Sequence, residues 1–156
     1  MPLVRILVDG FSLLHRWPAI CAGRPPHSAA ARDALITKLT HYRDAVGTPL
    51  TIFFDGQGAP AGAPRPVSSR LVEVIYSPPG KTADDLIERV AYRIREYGHA
   101  LVVTDDLAER DTVMASGAWF ASCSNFIAQV EAELGDLAGD VEAHNRRERS
   151  RFRRGT

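Results

Sequence analysis

The sequence predicts an α/β domain built on a mainly parallel sheet with helices on both faces. Three observations lead there. Short apolar runs of strand length alternate with segments of helical periodicity, the order of βαβ units. The runs are nearly continuous in apolar residues, Leu101-Val102-Val103 among them, as strands buried on both sides are. Three of the runs stop at aspartate: Asp9, Asp55, and Asp105 with Asp106. In an open parallel sheet, functional groups gather beyond the carboxyl ends of the strands.

Each element has its own signal. Val4 to Val8 is a short apolar run ended by Asp9-Gly10. Ser28 suits the cap of a helix reaching Val46, with Leu35, Ile36, Leu39, Tyr42 and Val46 on one face. Gly47 ends that helix and Pro49 prevents its continuation. Leu50 to Phe54 is a second buried strand. The Gly, Ala and Pro-rich stretch from Gly56 to Pro66 reads as a mobile loop. Leu71 to Tyr76 is a third strand, broken by Pro78-Pro79-Gly80. Thr82 then opens a helix, with Asp85 three residues on as in a capping box. Ala83, Leu86, Ile87, Val90, Ala91 and Ile94 form its apolar stripe, and Gly98 closes it. Ala100 to Thr104 is a fourth strand, followed by a short helix to Ser116 and a fifth strand within Gly117 to Ala121. Ser124 is the expected cap of a last helix carrying Phe126, Ile127, Val130 and Leu134.

The 156 residues suit one domain, expected over 1–140, with a basic tail over 141–156. A hydrophobic content of 45% and a charged content of 24% are those of a globular protein. No apolar run is long enough for a membrane span, and the first ten residues read as a strand rather than a signal peptide. Two cysteines, Cys21 and Cys123, are too few for a disulfide framework or a cysteine-based zinc site. They fit reduced thiols in the cytoplasm. The formal net charge is zero, yet Arg146 to Arg154 holds six arginines and one acid, Glu148, a local charge of +5. Such a run is either a solvated end or a basic arm for a polyanion, with Arg146, Arg147 and Arg149 its first members.

The acids form the richest pattern. Beside the three strand ends, Asp84, Asp85 and Glu88 lie in the opening turns of a helix that starts near the same rim. Each has a plain explanation alone. Asp-Gly after a strand is a common turn, acids in a first turn complement the helix dipole, and Asp105-Asp106 suits a cap. Their recurrence at one rim crowds carboxylates that repel one another, and a divalent cation relieves that repulsion. Hard oxygen ligands with few His or Cys nearby suit Mg²⁺ or Mn²⁺ rather than Zn²⁺. Other chemistries lack their residues. The five histidines are scattered away from the strand ends. Gly80-Lys81-Thr82 has the ending of a P-loop, but Ile75 stands where that motif needs its first glycine.

Three blocks taken together resemble the YacP-like branch of the NYN family, within the PIN-like nuclease superfamily. They are Ile6-Leu7-Val8-Asp9-Gly10-Phe11-Ser12, then Thr82-Ala83-Asp84-Asp85 after the strand Arg70 to Tyr76, then Val102-Val103-Thr104-Asp105-Asp106 with Gly117-Ala118 beyond. The likeness runs from about Val4 to Leu134. It implies a three-layer PIN-like fold and a metal-dependent endoribonuclease. It implies Asp9, Asp84 and Asp106 as catalytic metal ligands, with Asp85 and Asp105 beside them and Ser12, Asp55 and Glu88 in support. One position departs: Ser12 stands where the family has asparagine, and serine is shorter and lacks the amide donor.

On that footing the expected reaction is hydrolysis of RNA phosphodiester bonds with Mg²⁺ or Mn²⁺. Arg70, Lys81 and the C-terminal arginines are candidates for backbone phosphates. The expected substrate is single-stranded messenger RNA, with the ribosome as a candidate site of presentation; the oligomeric state is open. Trp17 and Phe11 suit either base stacking or core packing, with packing the simpler reading. The alternative function is an RNA-binding PIN-like module that cuts weakly or not at all. A receiver domain phosphorylated at Asp55 would want two acids after the first strand, where only Asp9 stands. A phosphatase of the Asp-x-Asp type would want aspartate at position 11, which is Phe11.

Overall fold

The structure, a computed structural model, describes residues 2–56 and 72–135. The glycine-rich stretch beyond Gly56, Arg70, the arginines 146, 147 and 149, and the boundary near 140 lie outside the described residues.

Five parallel strands form one sheet: β1 (Leu3–Asp9), β2 (Leu50–Phe54), β3 (Val72–Tyr76), β4 (His99–Val103) and β5 (Trp119–Ala121). Their order is β3-β2-β1-β4-β5, so β1 is central. The helices are α1 (Gly10–His15), α2 (Pro18–Cys21), α3 (Ala29–Val46), α4 (Ala83–Ile94) and α5 (Leu107–Ala115), with α6 over 123–135.

Side chains alternate across the strands, and each parity feeds its own core. Ile6 and Val8 of β1, Ile52 and Phe54 of β2 and Val103 of β4 pack with Leu13, Leu35, Leu39, Tyr42 and Phe126, from α1, α3 and α6. Leu7, Phe53, Ala100 and Val102 face the other way, onto Ala83, Ile87 and Ala91 of α4 and Val113 of α5. The result is three layers of α/β PIN-like architecture, as the sequence predicts. Trp17 is 3% exposed and belongs to the first core. Phe11 stands edge-on to Phe54 at 5.0 Å. Both aromatics pack rather than offer a free stacking face.

Caps account for most boundaries. Ser28 Oγ accepts from the Ala31 N–H at the start of α3. Thr82 and Asp85 make the reciprocal capping box of α4. Two features differ from the sequence reading. The cap of α6 is Ser122, whose Oγ accepts from the Asn125 N–H, not Ser124; the chain leaves β5 only one residue before the helix begins. And the stretch after Asp9 is helical: α1 begins at once, with Asp9 accepting from the Ser12 N–H. The tight turn needs Gly10, where any Cβ would run into the Phe54 ring.

No helix among the described residues is long and apolar enough to cross a membrane. Cys21 and Cys123 are both free and buried.

Candidate functional site

β1 sits where the strand order reverses direction, between β2 on one side and β4 on the other. Such a switch point opens a crevice at the carboxyl ends of the strands. Asp9 is the last residue of β1 and shares the parity of Leu7, so it leans toward the layer of α4 and α5. It is 9% exposed. Ser12 holds both of its oxygens: the hydroxyl donates to Oδ2 at 3.0 Å and the backbone N–H reaches Oδ1 at 3.4 Å. The Thr104 hydroxyl lies 3.4 Å from Oδ2.

α4 and α5 bring the partners. The capping box occupies Thr82 and Asp85, leaving Asp84, one position earlier, to turn toward the sheet. In α5, Asp106 is the cap, its Oδ1 accepting from the Ala108 and Glu109 N–H groups at 2.9 and 3.3 Å. The Asp106 N–H is taken by Thr104 Oγ1 at 3.1 Å. Glu109 is therefore not needed at the helix end and points inward, 2% exposed. Carboxylate oxygens of Asp9, Asp84 and Glu109 all lie within 4.8 Å of one another.

This cluster is electrostatically uncomfortable. Burial pushes the Asp9 carboxyl up to about 6 against the opposing pull of the Ser12 hydroxyl; the Asp84 charge adds to the rise. Asp84 is also raised, by burial first and by the charges of Asp106 and Asp55. Glu109 is raised well above its ordinary value by burial and by contact with Asp84. Glu88 is raised by partial burial, with Asp85, Asp84 and Asp106 adding their charges. Among the described residues neither carboxylate oxygen of Glu109 accepts a well-formed hydrogen bond; the Thr104 hydroxyl, near enough to offset part of the rise, is directed to Asp9 Oδ2. Two facing buried carboxylates have two remedies: a shared proton or a shared cation. The donor set is three hard oxygens with no sulfur or imidazole, which suits Mg²⁺ or Mn²⁺. The residues present thus fit a divalent cation.

The other acids expected at the rim have structural partners. Asp105 pairs with Arg16 at 2.7 Å and accepts from the Cys123 N–H at 2.9 Å, joining β4 to α1 and the start of α6. Asp85 accepts from the Thr82 N–H at 3.0 Å, and hydrogen bonds from Thr82 hold its carboxyl below the ordinary value. Asp55 accepts from the Ala83 N–H at 2.8 Å, fixing the start of α4 to the end of β2. Asp106 lies beside Asp84 but falls outside the group of three. Glu109 takes the third place in that group. The sequence hides it, because a glutamate three residues after a capping acid reads as half of a capping box.

An acid cluster at the switch point of an all-parallel, three-layer sheet is the arrangement of a PIN-like domain of nuclease type. The chain belongs to the YacP-like NYN domain family, which matches residues 6–154. It is 28% identical over 127 residues to a Bacillus subtilis protein named Uncharacterized protein YacP, covering 81% of this chain and 74% of that one. The crystal structure of Rae1 (YacP) from Bacillus subtilis superposes with a TM-score of 0.78 at 25% identity, covering 96% of this chain and 85% of the other. A crystal structure of a single-residue variant of that protein gives 0.77, covering 92% and 84%.

Proposed function

We propose that this protein is a metal-dependent endoribonuclease that hydrolyses RNA phosphodiester bonds at the Asp9–Asp84–Glu109 cluster. The observation that carries the reading is the buried Glu109 carboxylate, which accepts no well-formed hydrogen bond among the described residues and lies within reach of two further acids. A structural role would supply a donor; a cation site needs the oxygens bare.

Asp9, Asp84 and Glu109 would hold Mg²⁺ or Mn²⁺, with Asp106 next to Asp84 as a further acid on the solvent side. A divalent cation there supplies the positive charge that acidifies an attacking water and neutralises the phosphate. The chain's own groups set the geometry. Ser12 fixes the Asp9 carboxylate through two hydrogen bonds. It does from the hydroxyl what a longer amide would do, so the departure at this position leaves Asp9 held. Thr104 links Asp9 to the N-cap of α5, and Asp55 anchors α4 so that Asp84 is aimed at the sheet. Lys81 at the rim is a cation for a backbone phosphate. Asp85 and Asp105 act by holding helix ends. Hydrolysis would leave a 5′-phosphate and a 3′-hydroxyl. Arg70 and the arginine run, outside the described residues, would add contacts to single-stranded messenger RNA, and a ribosome-bound message is one form of that substrate. A cytoplasmic place fits the two unpaired thiols.

The test is cleavage of end-labelled single-stranded RNA with and without Mn²⁺. Internal cuts that vanish on chelation, and that fall by orders of magnitude in Asp84→Asn at unchanged fold, are the expected result. Intact RNA at every Mn²⁺ concentration, or an active Asp84→Asn protein, would sink the proposal.

A further inference from the structure

Beside the acid cluster lies a cavity of about 420 Å³ between the ends of β2 and β3 and the start of α4. Sites for small ligands span about 300–1,000 Å³. Its walls are fixed by hydrogen bonds. The Gly56 N–H donates to Ser77 Oγ at 2.8 Å, and Ser77, 4% exposed, donates its own N–H to Phe54 O at 2.9 Å. Across the opening, Pro78-Pro79-Gly80-Lys81 is a tight turn closed by the Lys81 N–H on Pro78 O at 3.0 Å. Gly80 takes the left-handed conformation (φ 80°) that this Pro-Gly turn requires. Little rearrangement is needed to receive a ligand, which spares the ordering cost of binding.

The lining carries one cation and one carboxylate among the described residues, Lys81 and Asp55. The Ala83 N–H occupies Asp55 Oδ1; among the described residues nothing donates to Oδ2. The charge of Asp55 acts on both Asp9 and Asp84, so the cavity adjoins the reacting centre.

We propose that this cavity is the subsite for the nucleotide flanking the cleaved phosphate, with Lys81 on a backbone phosphate and Asp55 Oδ2 accepting from an amino group of the base. The proposal rests on the ribonuclease reading above and adds a base preference to it. Adenine, cytosine and guanine each offer an exocyclic amino group to a carboxylate, guanine with its ring N–H beside it. Uracil offers only a ring N–H between two carbonyl oxygens, which repel it. The subsite therefore favours any nucleoside with an exocyclic amino group over uridine.

Two measurements test this. The first compares kcat/KM on oligoadenylate and oligouridylate of equal length. Wild type prefers oligoadenylate. Asp55→Asn keeps the acceptor for Ala83 but turns an amide donor toward the base, and should shift the ratio toward oligouridylate by about tenfold, the worth of one charged hydrogen bond. If Asp55 acted only through the acid cluster, both rates would fall and the ratio would stay; an unchanged ratio overturns the proposal. Lys81→Ala should raise KM on both substrates while the rise in melting temperature with Mn²⁺ remains; an unchanged KM removes Lys81 from the subsite. The second measurement needs no cleavage: NMR titration of the metal-free protein with adenosine and uridine 5′-monophosphates. Amides of Gly56, Ser77 and Gly80 should shift with the adenosine compound at lower concentration. Those shifts without any RNA cleavage would keep the subsite and sink the ribonuclease reading. Cleavage with no shift from either nucleotide, or equal shifts from both, would sink the subsite.

Discussion

Glu109 keeps its carboxylate where water cannot reach it and where no well-formed hydrogen bond from the described residues meets it. In the absence of metal that group costs stability, by burial and by the neighbouring Asp84 charge. Glu109→Gln should therefore stabilise the metal-free protein while removing cleavage. Relieving one uncompensated buried charge is worth about 1–2 kcal/mol, and each kcal/mol moves the melting temperature of a chain this size by about 2–4 °C. A melting temperature that falls in Glu109→Gln would show that the carboxylate holds the fold and not a cation. At this scale the sequence exposes Asp9 and Asp84 through their positions after β1 and inside a capping box. It conceals Glu109, because burial and orientation depend on who satisfies the Asp106 N–H. That partner is Thr104, just past the end of β4, and no local spacing announces it.

Helix ends, more than strands, decide which acids reach the rim. α4 is tied by Thr82, Asp85 and Asp55, and α5 by Asp106. Asp106 separates the two roles an acid can play there. Asparagine caps a helix as well as aspartate does, whereas alanine loses about 1 kcal/mol. Asp106→Asn should melt close to wild type and Asp106→Ala about 1 kcal/mol lower in stability. If the charge of Asp106 also serves the cation, both variants lose cleavage; if it serves only the helix, Asp106→Asn keeps it. Melting curves and rates on the same two proteins decide the matter. The strands, α3 and α4 are legible because apolar period and capping residue agree within each segment. α1 and α2 are not. They span six and four residues, too short for periodicity, and exist because Asp9 caps the first, which covers the sheet, and the second packs against α1 and α3. The start of α6 is ambiguous in the sequence for a related reason: two serines stand two positions apart, and only the tertiary bond from the Cys123 N–H to Asp105 chooses between them.

For the molecule as a whole, the cluster makes stability a function of both pH and metal. Asp9 rises from 3.8 to about 6 on folding, while Asp84 and Glu109 move in the same direction. Between the unfolded and folded values the folded chain holds more protons than the unfolded one, so the metal-free fold loses stability as pH climbs through that window. For Asp9 alone, taken as uncoupled, the loss is about 2 kcal/mol between pH 4 and pH 7; Glu109 extends the decline to higher pH. A cation needs the same oxygens deprotonated and binds only the folded arrangement. Its stabilising effect must therefore grow with pH over the range in which the metal-free protein weakens. Melting temperatures at pH 5, 6, 7 and 8, with and without millimolar Mn²⁺, should form two diverging curves. The metal-free curve falls, the Mn²⁺ curve stays nearly level, and the gap is smallest at pH 5. In Asp84→Asn the metal-free decline should be shallower and the gap reduced at every pH, because one acid has left both the repulsion and the ligand set. Parallel curves with a constant gap would mean that Mn²⁺ binds elsewhere on the surface. A metal-free curve that rises from pH 5 to pH 8 would mean that donors absent from the described contacts neutralise the three acids, and the argument for a cation at Glu109 would go with it.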